Sequence, residues 1–188
     1  MSPLPPLARL CRSLRPAVLA LFGLAVLMSP VSSAPDREPL FEALKNAPNE
    51  LEAEKIENEI WKSWLESAPT PEIQAKLEQA MERRNVYDFQ GARDLLDEVI
   101  AEAPDYSEGW NQRAYVLFLQ GNYEASLEDI ERALELEPRH FGALSGKAMI
   151  FMTLGRVKLG QKALREAVEI HPYLKERNML IQPSGVDL

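Results

Sequence analysis

The stretch Gly142-Ala-Leu-Ser-Gly146-Lys147 has the composition of a phosphate-binding loop, in which glycine-flanked backbone amides cradle a phosphate and a lysine neutralises it. It is one residue short, has Ala148 where the magnesium-binding hydroxyl belongs, and follows no strand pattern, so a nucleotide site is not expected. Close approach of neighbouring helices is the better reason for Gly146. The two histidines, His140 and His171, each lie beside a proline turn, with no cysteine or second histidine at ligand spacing. Solvated loop positions are expected for both, and no metal site. Glu124, Glu128, Asp129 and Glu131 read as outer, solvated helical faces. No Ser, His and Asp set falls in a nucleophile-bearing turn, so no catalytic residue and no cofactor is expected.

The elements that carry these residues follow from a 34-residue period. Ala80, Ala114 and Ala148 form one column, and Pro104, Pro138 and Pro172 another. Leu96, Ile130 and Leu164 keep a branched apolar type, Phe89, Tyr123 and Val157 a bulky one, and Ala92, Ser126 and Gly160 a small one. That period predicts an all-α stack of helical hairpins, with repeats at 73–106, 107–140 and 141–174. Gly121-Asn122 and Gly155 supply hairpin turns, and Tyr87-Asp88 stands in for the glycine of the first repeat. Asp105 with Glu108 reads as a capping pair for the second repeat. Residues 35–70 form an N-terminal extension, with a short helix over 39–45 and a longer one after the Asn49/Glu52 capping pattern. There Leu51, Ala53, Ile56, Ile60 and Trp64 recur at helical spacing. Thr70-Pro71 starts the hairpin domain, residues 71–181, and a cap over 175–181 covers its last repeat before a flexible tail at 182–188. The terminal Val186-Asp187-Leu188 could suit a domain that captures C-termini, but an ordinary frayed end is expected.

Residues 1–34 read as a secretory signal peptide: Arg9, Arg12 and Arg15 precede an apolar run, Ala17 to Met28, followed by small residues to Ala34. The run is too short to span a bilayer, and cleavage after Ser33 is favoured over Ala34, which would leave Pro35 beside the scissile bond. Cleavage removes Cys11, the single cysteine, and three arginines, so 21 Lys and Arg against 29 Asp and Glu becomes 18 against 29. An exported, cysteine-free, acidic chain without an Asn-x-Ser/Thr acceptor points to the bacterial periplasm. Its charge, with Lys and Arg scattered, disfavours nucleic acid and anionic lipid as partners.

The columns resemble those of the tetratricopeptide repeat family. The second repeat carries Trp110, Ala114, Gly121, Tyr123, Ser126, Ile130, Ala133 and Pro138 where the family places aromatic, small and proline residues, and the third carries Leu144, Ala148, Gly155, Gly160, Leu164, Ala167 and Pro172. The resemblance implies a solenoid whose first helices line a concave groove. Leu77, Met81 and Arg84 would face it from the first repeat, Asn111, Tyr115, Phe118 and Leu119 from the second, and Ser145, Met149 and Met152 from the third. Methionines and aromatics suit a helix or an extended peptide. Arg84 and Asn111 would be its polar contacts. Family members that hold chaperone C-terminal carboxylates use charged and amide residues where this chain has Leu77, Met81, Gln112, Gly142 and Gly146, so that partner is not expected. Three readings of the groove stay open: free, covered by the chain's own helix, whose Trp61 and Trp64 need burial, or shared between the two. The resemblance and the export signal together imply a non-catalytic adaptor for an envelope protein, with a structural homo-oligomer as the alternative.

Overall fold

The structure, a computed structural model, describes residues 36–181; the expected signal peptide and the 182–188 tail lie outside them. Eight α-helices are described: α1 Glu38–Lys45, α2 Glu50–Leu65, α3 Pro71–Asn85, α4 Phe89–Glu102, α5 Ser107–Leu119, α6 Tyr123–Leu136, α7 Phe141–Thr153 and α8 Val157–Ile170. A 3₁₀ helix, Lys175–Met179, follows, shorter than the cap expected over 175–181. Among the described residues there is no strand, and no helix is long and apolar enough to cross a membrane.

Several starts are dictated locally. Asn49 accepts the Glu52 N–H at 3.0 Å, Thr70 accepts that of Ile73 with Pro71 in the first position, and Asp88 accepts that of Gly91. Each satisfies an amide that the helix cannot pair internally. The Asp105/Glu108 pair does not act this way. Tyr106 occupies the cap position of α5 without a side-chain bond, and Glu108 is fully buried.

The hairpins α3/α4, α5/α6 and α7/α8 are the most extensively packed helix pairs. The small column residues sit where each pair crosses. A β-carbon on Gly160 would lie 2.7 Å from Met152 Cγ and 3.0 Å from the Ala148 carbonyl oxygen, and Ser126 Oγ donates to the Ala114 carbonyl at 2.6 Å. The hairpin turns require a left-handed residue: Gly121 has φ +77°, Gly155 φ +70°, and Tyr87, at the matching position, φ +66°. A side chain there costs about 1–2 kcal/mol. Tyr87 is 81% exposed, with only an edge contact to Phe89, so little packing offsets that cost. Tyr87→Gly should therefore raise unfolding free energy by about 0.5–1 kcal/mol, after the extra freedom of glycine in the unfolded chain is deducted. Urea denaturation checks this.

The N-terminal pair packs on the far end of the stack. Phe41 and Leu44 of α1, with Ile60 and Trp64 of α2, share one apolar cluster with Phe141 and Leu144 of α7 and Leu164 of α8. α2 then runs along the edge formed by the loops between hairpins, meeting them in reverse order. The Tyr106 hydroxyl donates to the Leu65 carbonyl at 2.9 Å, Trp64 stacks on His140 at 4.0 Å, His171 Nε2 lies 3.0 Å from Glu57, and Arg177 bonds Glu50 at 3.4 Å. Arg37, ahead of α1, binds Ser63 and Glu137 and closes this strap onto the second junction.

Candidate functional site: a walled groove over the second and third hairpins

A groove of about 420 Å³ lies over α5 and α7, with Arg84 of α3 at one end and Leu174, Lys175 and Glu176 at the other. Its apolar floor includes Ala114, Phe118, Ile130 and Ile150, and α2 contributes Glu57 and Trp61 as a side wall. The groove is therefore neither free on all sides nor covered. α2 borders it and leaves Tyr115 48% exposed. Trp61 needs space beside α7: a β-carbon on Gly142 would sit 2.5 Å from its ring, whereas one on Gly146 would meet only Ile130 at 3.5 Å, an ordinary contact. Close approach thus explains Gly142, correcting the expectation for Gly146, whose missing side chain keeps the groove open.

Of the expected contacts, Arg84, Asn111, Tyr115, Phe118, Ser145 and Met149 line this groove. Three do not. Leu77 is fully buried in the cluster of the first hairpin, against which Leu65 and Ala68 from the end of α2 and its linker also pack. Met81 packs on the same cluster, and Met152 turns toward Gly160 of α8. Leu119 is partly exposed beyond the lining. The phosphate-loop-like stretch is helical, inside α7.

The wall beneath Arg84 is a chain of hydrogen bonds ending in a buried carboxylate. Arg84 Nη1 donates to Gln112 Oε1, and Gln112 Nε2 donates to Glu108 Oε1. The Asn111 amide donates to both Glu108 oxygens, and His140 Nε2 lies 2.8 Å from Glu108 Oε2. His140 Nδ1 accepts the Ala143 N–H, so the proton sits on Nε2 and is donated to Glu108. Paired donors on both oxygens are what allow a carboxylate at 0% exposure. The histidines are thus buried structural groups, which corrects the solvated-loop expectation. His140 caps α7 and His171 packs edge-on against Phe141. A signal existed: His140 shares a column with Tyr106 and Leu174, both buried. Asp129 is buried too, accepting a bidentate bond from Arg113, which also reaches Asp97.

The electrostatics follow from these contacts. The His171 hydrogen bond holds the Glu57 carboxyl below its ordinary range despite partial burial. Burial disfavours the charge on Arg84, outweighing the opposing pull of the Tyr115 hydroxyl and the Glu108 carboxylate; its direct partners are Gln112, Asn85 and the Tyr115 ring at 5.1 Å. Asp129 raises Arg113, and burial raises the Tyr106 hydroxyl. The groove can hold an apolar segment along its floor and an acceptor at Arg84. Among the described residues no group of three or more His, Cys, Asp or Glu is placed to hold a metal ion.

Comparisons with known proteins agree with this architecture. The profile of the tetratricopeptide repeat matches residues 107–140. A TPR repeat-containing protein of Rhizobium etli is 40% identical over 162 residues, covering 84% of this chain and 78% of the relative. A Tetratricopeptide repeat protein 36 homolog of Nematostella vectensis is 36% identical over 70 residues, 37% of this chain and 38% of that protein. Among solved structures, the Sgt2 TPR domain of Aspergillus fumigatus superposes with TM-score 0.53 and 20% identity, covering 64% of this chain and 91% of that domain. The TPR2AB domain of yeast Sti1, solved with a pHSP90 partner, gives TM-score 0.54 and 21% identity, over 76% of this chain and 58% of that one.

Proposed function

Because this chain belongs to the tetratricopeptide repeat family, we propose that it is a non-catalytic binding scaffold that holds a peptide or helix of a cell-envelope protein in the groove over α5 and α7. The observation that carries the reading is the groove itself: an apolar floor left open at Gly146, with Tyr115 and Arg84 at its rim. Fold alone does not assign a partner, so the site bears the argument. The periplasm is the proposed location, supported by the arginine-led apolar run and small residues of 1–34, the absence of cysteine after Cys11, and the acidic charge.

The test is capture from a native envelope extract by wild-type protein, by Tyr115→Ala/Met149→Ala, and by Gly146→Leu. Leucine at 146 places its side chain in the groove while improving helix propensity by about 1 kcal/mol. Its capture of groove-bound proteins should fall by about tenfold or more, some 1.4 kcal/mol, without a lower melting temperature. Undiminished capture by both variants overturns the groove as the site.

A further inference from the structure

The charge of this chain is divided along its length. Residues 36–140 carry 11 Lys and Arg against 25 Asp and Glu, whereas residues 141–188 carry 7 against 4. From Phe141 to Arg165 there is no acid at all. The division reaches the surface on the first and last helices of the hairpin stack. On α8, Lys158, Lys162 and Arg165 share one exposed face with Leu159, next to Arg156 and Val157 at the helix start; Glu166 and Glu169 lie only toward its C-terminal half. Lys162 meets Glu166 at 3.8 Å, and Arg156, Lys158 and Arg165 make no ion pair among the described residues.

This face also runs against the local preferences of a helix. Arg156 caps α8 with no side-chain hydrogen bond, the first turn holds Lys158 and no acid, and so cations stand at the positive end of the helix dipole. Nothing among the described residues compensates, and a local rule broken without an internal gain marks a surface shaped by something else. The exposed Leu159 and Val157 add apolar contact between the cations.

A complementary face is present on the same molecule. On α3, Glu72, Ala75, Glu78, Gln79 and Glu82 form one exposed stripe, and none of its three carboxylates is ion-paired among the described residues. α3 packs on α4 and α5, and α8 on α7, α1 and the 3₁₀ helix, which leaves both stripes outward. Both are rows at helical spacing, so two helices laid side by side can bring carboxylates against ammonium and guanidinium groups, with Ala75 leaving room for Leu159.

We infer that the cationic face of α8 docks the acidic face of α3 on a second copy, so that copies stack end to end. The contact joins two different surfaces, so a docked pair keeps one free face of each kind and can take up further copies. It adds to, and does not depend on, the groove reading. Exposed ion pairs are individually weak and salt-screened, so the assembly is weak and salt-dependent.

The test is sedimentation velocity of the full mature chain at about 100 μM, a range suited to small interfaces. At about 20 mM salt, where charges act over roughly 20 Å, the weight-average mass should exceed that of the monomer. At about 0.5 M it should return to the monomer, the association constant having dropped by about tenfold or more. Lys158→Glu/Lys162→Glu alone, and Glu78→Lys/Glu82→Lys alone, should each remain monomeric at low salt, with unchanged circular dichroism. Mixing the two should restore association, because the acidic α8 of one then meets the basic α3 of the other. A monomeric wild type at low salt, or a mixture that fails to associate, overturns the inference. So does association of wild type that both variants retain. Binding of the monomer to vesicles containing anionic lipid, lost in Lys158→Glu/Lys162→Glu, would overturn it in favour of a membrane surface.

Discussion

Trp64→Ala should lower the unfolding free energy by about 3–5 kcal/mol, the cost typical of removing a large aromatic side chain from a core. Trp64 is fully buried, stacks on His140 at 4.0 Å, and packs against Phe41, Trp61 and Phe141 with ring centroids 6.1, 5.1 and 5.0 Å away. Its indole N–H also reaches Glu137 at 3.4 Å. Truncation opens a void bounded by α1, α2 and α7 together, so none of them can collapse to fill it alone. A domain of this size has about 5–15 kcal/mol in total, and the variant should unfold at a markedly lower denaturant midpoint. Guanidinium denaturation followed by circular dichroism checks the value. A loss below about 1 kcal/mol would show that the strap contributes little to holding the stack.

Glu108→Ala should cost about 3 kcal/mol or more for a different reason. The substitution removes one acceptor group and orphans donors on Asn111, Gln112 and His140, of which His140 is at 0% exposure. Glu108→Gln retains an acceptor oxygen and the side-chain shape, so it should cost about half as much. The order of the two variants in urea denaturation separates the loss of hydrogen bonding from the loss of volume. Equal costs would show that packing, and not the polar chain, holds the wall beneath Arg84.

The hairpins were legible because their constraints repeat. Thr70-Pro71, Gly121 and Gly155 mark boundaries through backbone chemistry that needs no knowledge of the rest of the fold. The course of α2 was not legible. Ile56, Ile60 and Trp64 announce an apolar face, but periodicity reports burial without saying what covers it, and the cover here lies far along the chain at Phe141 and His171. The same gap explains the groove. Leu77, Asn111 and Ser145 are one column, and so are Met81, Tyr115 and Met149, yet only the second- and third-repeat members line the site. In the first repeat Leu77 is buried in a cluster on which the end of α2 and its linker pack. The Glu108 chain was missed because a glutamate near a helix start looks like a cap, and only its three-dimensional neighbours show it to be a buried acceptor.

Hairpin stacks ordinarily gain or lose repeats at little cost, since each unit touches only its neighbours. Here α2 touches the junction after every hairpin, from Tyr106 at its C-terminal end to Arg177 at its N-terminal end, and its 16 residues are used up in doing so. Duplicating one hairpin would displace the later junctions by about 8–10 Å, the separation of packed helices, while α2 would need about two more turns to follow. Either change alone breaks the fold. The repeat number of this protein is therefore locked by a helix outside the repeats, and the usual evolutionary route of a solenoid, growth by internal duplication, is closed to it.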